Sequence, residues 1–127
     1  MKIRVTEVRS IENTIHVSFL SSAGSGTAAW IGIQPIAGTE WDVEFDLDEL
    51  FSWGENLTAS PRKSPHIAII NGATHITAEI TQNTDEEWVA LKLEDSLIFI
   101  ELSEPLTQKS GFIEIRVTRA NLYPTNI

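Results

Sequence analysis

The chain has 127 residues, 42% of them hydrophobic, with 18 acidic and 9 basic residues and a formal net charge of −9. That length fits one domain (1–127) whose core needs no staple, and the lack of cysteine excludes disulfides, thiolate zinc sites and a cysteine nucleophile. Beyond the N-terminal segment, basic neighbours occur only at Arg62-Lys63 and the Arg116/Arg119 pair, which disfavours nucleic acid as a partner.

Apolar and polar residues alternate along nearly the whole chain, and helical periodicity is almost absent. Residues 1–9 alternate instead of forming the continuous apolar stretch of a secretory leader. No later run approaches the roughly 20 apolar residues of a membrane-spanning helix. The chain therefore reads as unprocessed and cytoplasmic, with no membrane partner. Ile3, Val5 and Val8 begin a first strand; Ile15, Val17 and Phe19 form one face of a second, with Thr14, His16 and Ser18 opposite. Residues 21–26 break the pattern and read as a flexible loop. Gly24-Ser25-Gly26-Thr27 has the look of a phosphate loop but lacks its lysine and the helix that follows. Residues 27–33 are apolar on both faces, as in a buried strand.

The clearest strand comes next: Trp41, Val43, Phe45 and Leu47 alternate with Glu40, Asp42, Glu44, Asp46 and Asp48. Asp48 can cap a helical turn over 49–53 that Gly54 closes. Residues 55–65, with Pro61 and Pro65, read as a loop. A meander follows. Strands at 67–70 and 74–81 flank Asn71-Gly72, a type I′ hairpin signal. Strands at 88–93 and 97–102 flank a tight turn at Glu94-Asp95. Pro105 and Gly111 bound a loop, residues 112–118 form the last long strand, and Leu122 and Tyr123 pin the tail before Pro124.

This pattern predicts an all-β barrel or sandwich of about eight mostly antiparallel strands with one short helical turn. Its core should include Phe19, Trp41, Phe45, Leu91, Ile98, Ile100, Ile113 and Ile115. The segment from Gly38 to Phe45, preceded by Trp30-Ile31-Gly32-Ile33, resembles part of a small OB-like barrel.

The most unusual feature is the row of carboxylates Glu40, Asp42, Glu44, Asp46 and Asp48. With Glu49 and Glu55 it makes seven acids between 40 and 55 and no Lys or Arg. The plain explanation is a solvated face, such as an edge strand protected by charge. The functional one is a docking surface for a basic protein, because single-sign fields steer association. Phe51 and Trp53 either plug a barrel end or stand beside that surface as an aromatic anchor. Carboxylates at i and i+2 on a strand lie about 7 Å apart, too spread to hold one calcium ion without loop ligands. The three histidines, His16, His66 and His75, lack zinc-site spacing, and no Gly-x-Ser-x-Gly elbow exposes a serine. Trp30, Trp41, Trp53 and Trp88 could form a sugar-binding face, but Trp41 and Trp88 lie in strand patterns that favour core packing.

No catalytic residue, metal ligand or cofactor is expected. The expected role is a non-catalytic, antitoxin- or immunity-like bacterial binding module. Its contacts would be Glu40, Asp42, Glu44, Asp46, Asp48, Phe51 and Trp53. Three alternatives remain: a homo-oligomeric β assembly, a small barrel enzyme with scattered catalytic groups, and a sugar binder.

Overall fold

Two-residue turns generate the first strands. Strand β1 (Lys2–Ile11) returns as β2 (Thr14–Ser21) through Glu12-Asn13, both at positive φ (50° and 65°), the backbone that a type I′ turn requires. Ser22-Ala23 then leads into β3 (Gly24–Trp30), and a loop over 31–39 delivers β4 (Glu40–Leu47). The computed structural model describes residues 1–82 and 87–125. Among these follow β5 (Leu50–Phe51), β6 (Leu57–Ala59), β7 (His66–Ile70), β8 (Ala73–Gln82), β9 (Trp88–Leu93), β10 (Ser96–Leu102), β11 (Gly111–Val117) and β12 (Ala120–Pro124).

Five of these strands close on themselves. β1 pairs with β2, β2 with β3, β3 with β12, β12 with β4, and β4 with β1. All contacts are antiparallel except β3–β12, where Asn121 and Leu122 lie parallel to Ala29 and Trp30. Numbered by their own order along the chain, the ring strands run 1-2-3-5-4, an OB-like barrel. Between its fourth and fifth strands the chain inserts β5 to β11. Within the insertion β8 is central, with β7 and β9 along one edge and β11 along the other. β6 extends the sheet beyond β11, and β10 and β5 extend it beyond β9.

Inward-facing residues from both parts form one hydrophobic cluster: Ile3, Val5, Val17, Phe19, Val43 and Leu47 from the barrel, with Ile76, Leu91, Leu93, Ile98, Ile100, Ile113 and Ile115 from the insertion. Each is worth about 1.5–3 kcal/mol when fully withdrawn from water. Among the described residues no helix is long and apolar enough to cross a membrane.

The all-β architecture and the Asn71-Gly72 hairpin (φ 52° and 80°) match the expectation from sequence. Several local expectations do not. Residues 21–26 are no loop: they contain the end of β2, a turn and the start of β3. Glycine serves close packing there. A Cβ on Gly24, which sits at φ 133°, would stand 1.9 Å from the Ile67 carbonyl oxygen. Gly24 and Ile67 also form the parallel contact that joins barrel to insertion, reinforced by the Ile67 N–H donating to the Ala23 carbonyl at 2.8 Å. A Cβ on Gly26 would press on the Phe19 ring at 2.9 Å. The buried strand expected over 27–33 stops at Trp30, and Ile31 and Ile33 are exposed.

The expected helical turn after Asp48 does not form. Leu50 and Phe51 are a short strand parallel to Glu101 and Leu102, since burying Phe51 beside Leu102 gains more than one isolated turn would. Residues 55–65 likewise contain β6, paired with β11. Trp41 and Phe45 are only half-buried, lying against the core, with the Phe45 ring edge-on to Phe19 at 5.9 Å.

These contacts set stability expectations. Gly24→Ala combines backbone strain with a carbonyl clash and should cost roughly 2–4 kcal/mol. Phe19→Ala should cost about 3–5 kcal/mol, and the half-buried Phe45→Ala about 1–3 kcal/mol. Urea unfolding of the three variants checks the order, and a Gly24→Ala midpoint equal to wild type would contradict it.

Candidate functional site

Alternation along β4 turns Val43 and Leu47 into the core and leaves Glu40, Asp42, Glu44, Asp46 and the following Asp48 on the outer surface. The strand is not an edge: β1 pairs with residues 40–42 and β12 with 43–47. Charge protection of a free edge therefore does not explain the carboxylates. At the N-terminal end of β4 they have basic neighbours. Arg4 bonds the Glu40 carboxylate at 2.9 Å, and Lys2 stands in register with Asp42. Further along, Glu44 faces Tyr123 and Asp46 faces Asn121, neither of them a cation. Negative charge thus accumulates toward the C-terminal end of the strand.

There the chain passes through Asp48 and Glu49 directly into β5. Glu49 is held in place by Thr118, whose N–H and hydroxyl donate to its two carboxylate oxygens at 3.0 and 2.8 Å. Strand register then sets Leu50 beside Glu101, and Glu101 beside Trp88, as one row across β5, β10 and β9. A groove of about 360 Å³ opens at this junction, lined by Asp46, Asp48, Glu49, Glu101, Trp88 and Arg119 together with Leu47 and Leu50. Four carboxylates meet one guanidinium. An indole wall beside surplus negative charge is a setting for an ammonium or guanidinium group, which carboxylates attract and an aromatic face stabilises.

The outer face continues away from the groove as Phe99 opposite Ala90 and Leu97 opposite Lys92. Leu97, Phe99, Leu50 and Trp88 are 57%, 59%, 50% and 44% exposed. Contiguous exposed apolar side chains are a feature of contact surfaces.

The expected aromatic anchors are distributed differently. Phe51 is fully buried in the core and can touch no partner, because its strand turns it inward beside Leu102. Trp53 is exposed, in an isolated bridge to Leu57, and does not line the groove. Trp88 supplies the indole instead. Its alternating neighbourhood reads as core, yet the outward row of β9 carries it. Trp30 is buried and packs edge-on against Trp41 at 5.3 Å, so the four tryptophans form no common sugar platform.

A second cleft of about 360 Å³ lies where β2 and β3 meet the Asn71-Gly72 turn, with His16, Thr27, Thr74 and Asn121 among its walls. Thr74 is buried there, but its hydroxyl is committed to Thr27, accepting from its N–H at 3.1 Å and donating to its carbonyl at 3.3 Å. His75 lies elsewhere, with Nδ1 3.2 Å from Glu114. Among the described residues no group of three or more His, Asp or Glu is gathered closely enough to hold a metal ion.

Comparison with known proteins adds no relative: no family model matches the chain, and no curated protein or solved structure does. Assignment rests on the geometry alone.

If the outer carboxylates serve no structural purpose, Glu44→Gln with Asp46→Asn should leave the fold intact. Relief of like-charge repulsion should raise stability by a few tenths of a kcal/mol at low salt, the gain fading as salt rises. Thermal melts at low and high salt measure this, and a clear loss of stability would show that the two carboxylates hold the barrel together.

Proposed function

We propose that this protein is a non-catalytic, cytoplasmic binding module that docks a basic protein through the groove at the end of β4 and the apolar face of β9 and β10. The observation that carries the reading is the meeting of Asp46, Asp48, Glu49 and Glu101 with Trp88 in one groove, next to exposed Phe99 and Leu97. Charge at the rim steers the encounter, while aromatic and aliphatic side chains at the centre hold the complex. A net charge of −9 raises the encounter rate with any strongly cationic surface and opposes nucleic acid. An antitoxin- or immunity-like role in a bacterial cell, masking the working face of a basic enzyme, fits this combination. Phe51 drops out of the binding set, and Glu40 and Asp42, with basic neighbours in β1, contribute less than Asp46 and Asp48.

The test is recovery of a partner from lysate at low salt, followed by association and dissociation rates with the purified partner. Asp46→Asn with Glu101→Gln should slow association and flatten its salt dependence. Trp88→Ala should act on dissociation, weakening binding by about 30-fold or more, as a hot-spot truncation of at least about 2 kcal/mol does. Trp53→Ala should change neither rate. An unchanged association rate in the double variant would overturn the electrostatic reading.

A further inference from the structure

Strand register builds the second cleft, where β2, β3 and β12 meet the Asn71-Gly72 turn. Val17, Ala28 and Leu122 are buried, so alternation turns His16, Thr27, Ala29 and Asn121 to the outer surface. Ala29 stands between His16 on one side and Asn121 on the other. A methyl group in the middle of that row leaves a depression, and Gly72 and Ala73 in the facing wall are equally small. Arg119 precedes β12, and its carbonyl accepts from the Asp48 N–H at 3.0 Å, which brings both residues to the cleft.

The polar side chains around this depression fall into two groups. Thr27 and Thr74 are committed to each other, and the Thr118 hydroxyl donates to Glu49. By contrast, His16, Asn121, Arg119 and Asp48 make no side-chain hydrogen bond or ion pair among the described residues. Arg119 and Asp48 carry opposite charges and line one cleft, yet they do not pair. Unpartnered donors and an unpartnered carboxylate around one concavity match the needs of a small polar ligand.

We propose that this cleft binds a small free α-amino acid, with its carboxylate on Arg119, His16 and Asn121 and its ammonium on Asp48. A planar guanidinium takes a carboxylate through two parallel N–H donors. The net charge of −9 repels a bare anion, and a lone cation would find Arg119 facing it. A zwitterion adds no net charge and answers both side chains. Ala29, Ala73 and Val117 offer aliphatic contact, which suits a short aliphatic side chain on the ligand. The proposal does not depend on the basic-partner reading, because only Asp48 and Arg119 are shared with the groove beside Trp88.

Titration of the full chain with L-alanine, followed by amide NMR, tests the site. The amides of Ala29, Gly72 and Asn121 should shift saturably, with a Kd on the order of 1 mM. N-acetyl-L-alanine lacks the ammonium and L-alaninamide lacks the carboxylate, and each should bind at least about tenfold more weakly. Arg119→Gln and Asp48→Asn, both at exposed positions, should each weaken L-alanine binding by a similar factor. Ala29→Leu fills the depression without touching a charge and should abolish the shifts. If its spectrum shows loss of the fold, the two exposed variants decide. Binding of either blocked compound as tight as that of L-alanine would overturn the proposal. So would the lack of any saturable shift, or shifts confined to the groove beside Trp88. Each of these results would leave the basic-partner reading standing.

Discussion

Barrel closure depends on β12 lying between β3 and β4. Its parallel contact with Ala29 and Trp30, extended by the Ile31 N–H donating to the Leu122 carbonyl at 2.9 Å, is the seam of the ring. Leu122 is fully buried behind it. The strand that makes this seam comes last in the chain, after the whole insertion has been threaded between the fourth and fifth ring strands. Closure must therefore meet the entropy of a long loop before any of its bonds form. The Gly24–Ile67 contact ties the insertion back to β3, which keeps the delivery of β12 geometrically defined.

The same seam explains how the proposed docking face is assembled. With β12 against residues 43–47, β4 is fixed in rotation, its apolar side inward and its carboxylates outward. Running directly into β5, it then sets Asp46, Asp48 and Glu49 next to Glu101 and Trp88, residues that are remote in sequence. Carboxylates gathered this way repel one another mildly, a cost carried by the buried side of the strand. Natural chains retain such local conflicts where a site needs them.

Much of the architecture was legible because period-2 alternation has few alternative explanations. β4 announces both its faces, and Asn71-Gly72 announces its turn. Shorter elements escaped: β5 and β6 have two and three residues, too few for any period to show. Gly24 and Gly26 mislead because glycine in a tightly packed strand looks like glycine in a loop. At the site, the carboxylates of β4 were readable but their neighbours were not. Glu101 and Trp88 join them only through β5–β10–β9 register, and Phe51 turned inward because its partner is Leu102. No local pattern encodes such cross-strand placement. A tryptophan within an alternating run gives no sign of which face it will occupy until the register is known.

A basic partner docked as proposed lies over Trp88 and away from Trp53, two indoles of similar exposure. Oxidative footprinting of the complex formed with a partner captured at low salt separates them directly. Labelling of Trp88 should fall on complex formation, with Leu97 and Phe99 falling alongside it, while labelling of Trp53 stays at its free level. Protection of Trp53 with Trp88 still fully labelled would move the docking surface elsewhere and contradict the account.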